Sequence, residues 1–349
     1  MDFKNKLINW YSIHKRDLPW RATKNPYCIW LSEIILQQTQ VSQGLPYYDA
    51  FNSKYPTIFD LAEASEESVL KLWQGLGYYS RARNLHTTAK YIANNLDGVF
   101  PSNYKDLIKL KGVGDYTASA IASIAFNEVE AVVDGNVYRV LARYFGITTP
   151  INSSEGIKEF KLLATSLIDR ERPATYNQAI MEFGARQCKP KNPDCNVCPL
   201  NESCMALQKK IVDTLPIKLK KTKVTTKYFN FLVCIDKNKR ILFEKRTQKG
   251  IWQNLYQFPL IESEKSLNAD EFHLLDFEKS LYKFDNFDYV LYNEVDKIHK
   301  LSHQHLHTKF WIIEVKDSLA KSILINELTH YPVPVLISEF INEFNFETL

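Results

Sequence analysis

Two acidic residues of this 349-residue chain are placed so that they could share an acid–base reaction. Glu33 lies in a stretch of helical periodicity, where Ile29 and Trp30 share its face, so burial should raise the pKa of its carboxyl. Asp134 follows the apolar run 131–133 at the start of another predicted helix, where amide groups and the helix dipole favour the carboxylate. A protonated Glu opposite an ionised Asp suits acid-assisted cleavage at an acetal-like carbon, because one group protonates the leaving group and the other stabilises an oxocarbenium ion.

Each of the two acids also has a purely structural interpretation. An Asp at the start of a helix is commonly an N-cap, and a buried Glu can be satisfied by a local hydrogen bond. Taken one at a time, neither residue decides between chemistry and structure.

Four of the six cysteines lie close together in sequence: Cys188, Cys195, Cys198 and Cys204 are separated by six, two and five residues. Four thiolates can converge on one centre only if this proline-containing stretch wraps around it. A zinc site usually takes its cysteines as two close pairs, and an intracellular protein rarely keeps disulfides. One close pair flanked by wider gaps favours an iron–sulfur cluster over both alternatives. Cys28 and Cys234 are isolated among apolar residues and are predicted to be core residues.

The stretch 110–118 contains Gly112, Val113 and Gly114 directly before a predicted helix. Such a glycine turn can direct backbone N–H groups at a phosphate from the helix N-terminus. The alternative is an ordinary connection between two helices.

The elements that must position these residues fall into two classes. Residues 1–208 show helical periodicity and are predicted to form an all-helical domain. Residues 209–227 contain seven lysines and one acid and are predicted to be an exposed linker. Residues 228–349 are predicted to form a mixed α and β domain, giving an α+β protein of two domains. The predicted strands are residues 228–235, 240–245, 255–261, 279–284 and 310–315, followed by a helix over 333–344.

Composition narrows the environment of the protein. There is neither a run of 18 apolar residues nor a secretory leader pattern, so we expect an intracellular, cytoplasmic protein with no membrane contact. Lys and Arg outnumber Asp and Glu by 30 to 22 in residues 1–227, which suits a polyanionic partner and equally a well-solvated surface.

Together, the helix at residues 32–41, the glycine turn, the segment 133–137 and the cysteine spacing resemble the endonuclease III (helix-hairpin-helix) superfamily, specifically its A/G-mismatch-specific adenine DNA glycosylases. The resemblance covers most of residues 1–205. It implies a two-lobed helical fold, a 4Fe–4S cluster on the four cysteines and a base flipped out of double-stranded DNA into a cleft. The activity implied is removal of adenine opposite 8-oxoguanine or guanine in base-excision repair by a monomeric, nucleoid-associated bacterial enzyme.

By the family's pattern, Glu33 would protonate adenine at N7 and later help to activate water, and Asp134 would stabilise or transiently bond to the sugar cation. Tyr116 and Asn136 would orient these two acids. Members that also cut the strand carry a lysine at the position of Tyr116, and a phenol cannot form their Schiff base, so the chain is predicted to be monofunctional. Residues aligned with the adenine pocket, the DNA wedge and other DNA contacts are Leu18, Trp20, Arg21, Leu36 and Val41; Gln38 and Tyr78; and Thr39 with Gly112, Val113 and Gly114. Leu18, Leu36 and Val41 could equally be core residues.

The C-terminal part is similar to the Nudix-like module with which adenine glycosylases read 8-oxoguanine. Residues 261–275 lack the Nudix box needed for pyrophosphatase chemistry, so binding without hydrolysis is expected. In the family a Phe-Ser-His loop touches the lesion, and here Leu301 replaces the phenylalanine before Ser302 and His303. Histidines at 303, 305 and 307 share a strand face and suggest a metal as a weaker alternative.

Two other functions remain open on the sequence. One is a glycosylase of the same fold that removes thymine or uracil opposite guanine. The other is a non-enzymatic iron–sulfur protein that binds DNA or senses redox state. The lysine-rich linker could also dock a sliding clamp or a mismatch-repair partner.

Overall fold

The computed structural model describes residues 2–219, 224–275 and 287–348. The chain divides into two units, one formed by Met1–Glu63 with Asn84–Lys220 and the other by Ala64–Arg83 with Lys221–Leu349. No helix within the described ranges is long and apolar enough to cross a membrane.

Helices make up the chain as far as residue 208. In chain order they are α1 (Phe3–His14), α2 (Pro26–Leu36), α3 (Val41–Lys54), α4 (Ile58–Glu63), α5 (Glu66–Leu72), α6 (Ser80–Asn95), α7 (Tyr104–Leu107), α8 (Asp115–Phe126), α9 (Gly135–Phe145), α10 (Ser154–Leu167), α11 (Pro173–Arg186) and α12 (Met205–Gln208). All of these except α5 and the start of α6 belong to the first unit.

Local sequence signals explain where several helices begin and end. Asn25 caps α2 by accepting a hydrogen bond from the Tyr27 amide at 2.9 Å, and Pro26 suits the first helical position. Gly146 ends α9 with φ of 69°, a left-handed conformation that glycine adopts without steric cost.

Three pairs of helices bring the two acids together in the first unit: α2 packs on α8, and α11 packs on both α8 and α9. Gly184 of α11 permits the close approach to α9, since a Cβ there would lie 2.6 Å from the Asn136 Cβ. Trp30, Phe160 and Phe183 are fully buried in this unit.

The second unit is built on a mixed sheet. Its strands are β1 (Thr225–Asp236), β2 (Arg240–Ile241), β3 (Glu244–Lys245), β4 (Tyr256–Gln257), β5 (Leu260–Ser263), β6 (Phe287–Leu291), β7 (Lys297–Lys300), β8 (Gln304–Val315) and β9 (Ile323–Leu324). The main order is β6-β8-β1-β2-β9, with β5 also pairing with β1 and β7 with β8, while β3 and β4 form a separate two-stranded sheet.

The long central strands explain the strongest apolar signal of this half. β1 and β8 run parallel in a register that places Thr225 beside Gln304 and Asp236 beside Val315. Both strands are buried over most of their length, which is typical of parallel strands covered on both faces. The final helix α13 (Val335–Glu343) covers part of this sheet, where Phe340 stacks on Phe310 at 4.1 Å.

The segment Ala64–Arg83 clusters with the C-terminal half although it lies in the helical part of the sequence. Glu67 receives the Tyr256 hydroxyl at 2.7 Å and pairs with Lys245 at 3.0 Å. Lys71 donates to the Tyr331 carbonyl at 3.0 Å, and Arg83 to the Gln253 carbonyl at 2.9 Å. The sequence predicts these residues within the domain 1–208, and no local pattern in them indicates their partners, which lie 170 or more residues away.

The predicted fold class is confirmed: a helical domain is followed by an α+β, Nudix-like domain. Differences lie in the shorter strands. The predicted strand 240–245 is two strands, and 255–261 is also two, interrupted at Pro259, which has no amide to donate to a ladder. β6, β7 and β9 were not predicted, and the predicted strand 279–284 lies outside the described residues.

The predicted linker is more structured than its composition suggests. The Asn152 side chain exchanges two hydrogen bonds with the Leu219 backbone, at 2.8 and 3.1 Å, and the Ile151 amide donates to the Ile217 carbonyl at 3.0 Å. Backbone groups therefore hold residues 217–219 in place, which is a feature that lysine content cannot reveal.

Candidate active site and cysteine loop

Glu33 is buried on α2 with 8% of its surface exposed. Burial raises the pKa of its carboxyl from an ordinary 4.5 to about 7, and the nearby charge of Asp134 acts in the same direction. A hydrogen bond with Tyr116 and the charge of Arg21 oppose the rise. Glu33 can therefore hold a proton near neutral pH, as its apolar neighbours in the sequence predicted.

Asp134 caps α9 and is fixed through both carboxylate oxygens. Its Oδ1 accepts from the Asn136 and Val137 amides at 2.9 and 2.8 Å, and its Oδ2 accepts from the Asn136 side-chain amide at 2.7 Å. Burial leaves the pKa of Asp134 above its ordinary value, and these hydrogen bonds together with the charge of Arg139 offset only part of the rise. The helix end alone predicted only the lowering effect, because burial of the carboxyl could not be seen from the sequence.

Tyr116, near the start of α8, lies close to both acids. Its hydroxyl shares a hydrogen bond with Glu33 and lies 3.4 Å from the Met181 sulfur. Burial and the charges of Glu33 and Asp134 raise the pKa of this phenol well above 10.0, so the phenol stays neutral. A neutral hydroxyl beside two carboxyl groups can orient both of them.

These side chains open onto one cavity of about 510 Å³. A cavity of this size accommodates a nucleobase-sized ligand. The lining includes Glu33, Tyr116, Asp134 and Asn136 together with the predicted pocket and DNA residues Leu18, Trp20, Arg21, Leu36, Thr39 and Val41.

A buried ion cluster forms one wall of this cavity. The Glu182 carboxylate is 1% exposed and pairs at 2.7 Å with both Arg16 and Arg21. Burial raises the pKa of Glu182, but its bonds with the two guanidinium groups outweigh that effect and lower the pKa to about 2. Glu182 therefore holds Arg21 in a fixed direction at the edge of the cavity.

The glycine turn and Gln38 lie outside the cavity lining. Gly112 has φ of 82° in the turn before α8, and a Cβ there would lie 2.8 Å from the Asn84 Cβ. Val113 is buried, and Gly114 caps α8 without a side-chain bond. Gln38 is exposed and has φ of 58° between α2 and α3. The turn thus leads directly into the N-terminus of α8, where the sequence predicts a phosphate contact.

Two arginines of α9 donate hydrogen bonds to the cysteine loop, residues 188–204. Arg139 donates to the Cys188 carbonyl at 2.7 Å and to the Asn136 side chain at 2.9 Å. Arg143 donates to the Lys189 carbonyl at 2.7 Å and lies 3.4 Å from the Cys188 sulfur. One helix therefore carries both the Asp134 cap and the support of the loop.

The four sulfurs Cys188, Cys195, Cys198 and Cys204 are near enough to influence one another electrostatically. The thiols at 195, 198 and 204 have raised pKa values, chiefly through burial, with mutual repulsion adding to the rise. Backbone amides of Ala206 and Leu207 point at the Cys204 sulfur. In the described residues no three His, Cys, Asp or Glu side chains lie close enough to bind one metal ion. Four neighbouring cysteine sulfurs are the ligand set that an iron–sulfur cluster takes.

Tyr78 and Ser302 meet in the second unit, where the Tyr78 hydroxyl and the Ser302 Oγ are 2.7 Å apart. They line a cavity of about 570 Å³ together with Leu301 and His303. His307 has an acidic partner, since its Nδ1 lies 2.9 Å from an Asp296 carboxylate oxygen. Asp296 is eleven residues away, and strand pairing brings the two together.

Comparison with known proteins identifies the family to which the chain belongs. The HhH-GPD superfamily of base excision DNA repair proteins matches residues 31–164, and the NUDIX domain matches residues 230–343. The chain is 36% identical to an adenine DNA glycosylase of Buchnera aphidicola subsp. Schizaphis graminum over 307 residues, covering 87% of this chain and 85% of that one. The chain belongs to the adenine DNA glycosylase family.

Solved structures agree with this family at the level of the fold. A thermostable thymine-DNA glycosylase matches with a TM-score of 0.55 and 32% identity, covering 59% of this chain and 95% of that one. A non-covalent endonuclease III–DNA complex matches with a TM-score of 0.52 at 23% identity, covering 60% and 94% of the two chains, which supports the fold alone. The chain is thus a DNA glycosylase of base excision repair, as the sequence motifs predicted.

Against this family background, three residues of the site were missed in the sequence. Arg139 and Arg143 follow Asp134 at helical spacing, so their common face on α9 was a readable signal. Glu182 offered none, because its partners Arg16 and Arg21 are more than 160 residues away in sequence.

Proposed function

We propose that the chain is a monofunctional DNA glycosylase that hydrolyses the N-glycosidic bond of adenine opposite 8-oxoguanine or guanine in double-stranded DNA. The observation that carries the proposal is the unequal pair in one cavity: burial raises the pKa of Glu33 to about 7, whereas hydrogen bonds to Asp134 offset part of the rise that burial causes there. Relatives named adenine DNA glycosylase, one of which matches 87% of the chain, support adenine as the base.

In the proposed reaction Glu33 gives its proton to N7 of the flipped adenine, and the bond between the base and C1′ breaks with its electron pair leaving on the base. The carboxylate of Asp134 stabilises the resulting oxocarbenium ion at C1′. Water adds to C1′ and returns a proton to Glu33. Tyr116 and Asn136 fix the two carboxyl groups, while Leu18, Trp20, Leu36 and Val41 enclose the base.

Strand cleavage is not expected from this cavity. A Schiff base at C1′ needs an amine, and none of the described residues that line the cavity is a lysine. Lys109 pairs instead with Asp106 at 2.7 Å, on the surface before the glycine turn.

Cys188, Cys195, Cys198 and Cys204 would hold a 4Fe–4S cluster. When bound, the cluster would supply a fixed centre around which the loop 188–204 folds, and Arg139 and Arg143 attach that loop to α9.

DNA contacts are proposed at the glycine turn, with Gly112, Val113 and Gly114 offering amides to phosphate, and at Gln38, Thr39 and Tyr78. Ser302 and His303 are proposed to read the base opposite adenine. Loss of the aromatic group at Leu301 should weaken stacking at this position, and hydrogen bonds become the main means of discrimination.

One assay tests the substrate. The protein is incubated with duplexes that carry adenine opposite 8-oxoguanine, thymine opposite guanine, or uracil opposite guanine, and the products are treated with alkali. Scission in the first duplex alone is expected. Scission at thymine would instead favour the second candidate, a thymine mismatch glycosylase, which the likeness to a thymine-DNA glycosylase makes worth including. No scission in any duplex, from protein with intact cluster absorbance, would exclude base release.

A further inference from the structure

Arg81 of the second unit is a buried cation that the proposed chemistry does not use. It is 8% exposed, and one of its Nη atoms donates to the carbonyls of Gly77 and Leu76 at 3.1 and 3.4 Å. Burial lowers the pKa of Arg81 to about 10, which still leaves it charged at neutral pH. Burying a charge costs free energy, so we expect a buried arginine to stabilise the fold or to serve the function.

The Arg81 guanidinium also contacts two aromatic rings. It lies 5.1 Å from the ring centre of Trp73 and 5.6 Å from that of Tyr78. Trp73 donates from its indole to the same Gly77 carbonyl at 3.0 Å. A planar guanidinium can stack face to face on a ring while its edge donates to carbonyls, whereas an ammonium group has no planar face to stack.

The turn that these contacts hold is strained at Tyr78. Tyr78 has φ of 48°, in the left-handed region that side chains avoid, and it follows Gly75 and Gly77 at 95° and 75°. A non-glycine residue keeps such a conformation only when its surroundings enforce it. The contacts of Arg81 with the Gly77 carbonyl and the Tyr78 ring keep Tyr78 in this conformation.

The result is a side chain that is exposed yet fixed. Tyr78 has 53% of its surface exposed, but its hydroxyl is 2.7 Å from the Ser302 Oγ and one ring face meets Arg81. A ring that enters a base stack benefits from such preorganisation, because less conformational freedom is lost on binding.

We propose that Arg81 is a positioning residue for DNA recognition: its buried guanidinium holds the Tyr78 turn in the left-handed conformation that presents the tyrosine ring to the duplex. This inference rests on the proposed function of Tyr78 as a wedge. Arg81 itself need not touch DNA.

The test separates a positioning role from simple stabilisation of the fold. In a Glu33→Gln background, which prevents base release, binding is followed with a duplex that carries 2-aminopurine next to 8-oxoguanine opposite adenine. Unstacking by the ring raises the fluorescence of 2-aminopurine. Arg81→Met is measured alone and combined with Tyr78→Ala, and Arg240→Met serves as the control. Arg240 is a half-buried arginine of the same unit that donates to Ser322.

Arg81→Met should weaken binding about tenfold and remove most of the fluorescence rise, with no further effect once Tyr78 is alanine. Arg81→Lys, which keeps the charge but not the planar guanidinium, should fall in between, and Arg240→Met should match the parent. An equal loss from Arg81→Met in both backgrounds would overturn the proposal, since Arg81 would then act independently of Tyr78. If Tyr78→Ala itself changes neither binding nor fluorescence, then Tyr78 is not a wedge. The failure then lies in the proposed function of Tyr78 and not in the contacts of Arg81.

Discussion

Two sites of the molecule differ in how their surroundings act on the key side chain. The carboxylate site consists of Glu33, Tyr116, Asp134 and Asn136, and the tyrosine–serine site consists of Tyr78 and Ser302. Glu33 is 8% exposed, and its surroundings change its acid–base chemistry. Tyr78 is 53% exposed, and its surroundings fix its conformation. In the proposed function, chemistry therefore depends on exclusion of water from Glu33, whereas recognition depends on a rigid tyrosine ring that stays exposed to water until DNA binds.

The largest expected effect tests the chemistry of the carboxylate site. Glu33→Gln removes the proton donor and should slow single-turnover release of adenine by about 10²–10⁴-fold, while duplex affinity changes little. Release is measured after rapid mixing and alkali. Glu155→Gln, an exposed substitution on α10 of the same unit, should match the parent. Retained release in Glu33→Gln would place the general acid elsewhere.

The next effect tests the wall of the same cavity. Glu182→Ala leaves Arg16 and Arg21 without their shared buried partner, so the free energy of unfolding should fall by about 3–5 kcal/mol. Chemical denaturation followed by circular dichroism measures this loss. Glu155→Gln is again the control, and a loss below about 1 kcal/mol would mean that water already reaches the cluster.

The titration of Glu33 gives a third test. Its raised pKa means that the folded protein holds the proton more tightly than the unfolded chain, so this stabilisation is present below pH 4.5 and is lost as pH rises through about 7. The shift corresponds to about 3 kcal/mol. The unfolding free energy of the parent should therefore decline relative to Glu33→Gln by about that amount between pH 4 and pH 8. Parallel pH curves for the two proteins would contradict burial of an ionisable group.

The same titration sets the pH dependence of the reaction. Since Glu33 must be protonated to donate, base release should fall about tenfold for each pH unit above about 7. A single-turnover pH profile measures this limb. A flat profile up to pH 9 would separate proton donation from Glu33.

The smallest expected effect belongs to the tyrosine–serine site. Ser302→Ala removes one exposed hydrogen bond to Tyr78, so stability should change by less than about 1 kcal/mol and the preference for 8-oxoguanine over guanine by about fivefold. Competition between the two duplexes measures the preference. A change in base release from both duplexes by the same factor would indicate that Ser302 does not discriminate.

The sequence predicted the two acids of the carboxylate site better than it predicted the residues that hold the site in place. Glu33 and Asp134 lie in stretches with a local signature, an apolar helix face and a helix cap, and the structure brings both into one cavity. The net pKa of Asp134 could not be predicted, because burial by other helices opposes the cap. Glu182 depends on partners that only the tertiary fold brings near.

The second unit shows the same limit for elements of the fold. The buried strands β1 and β8 contain long apolar runs and were predicted in part, whereas β9 has only two residues and no pattern to detect. The association of residues 64–83 with the C-terminal half depends on side chains such as Glu67, whose partners are remote in sequence.

That association has a consequence for how such a protein can be taken apart. The polypeptide passes from one unit to the other after residues 63, 83 and 220. The C-terminal region alone therefore does not make up the second unit. A fragment that stops near residue 220 keeps Glu67 and Lys71 but loses Tyr256, Lys245 and Tyr331, their hydrogen-bonding or ionic partners. Exchange of this region between homologues, in the laboratory or in evolution, therefore requires a matching change in residues 64–83, a twenty-residue stretch inside the helical part of the sequence.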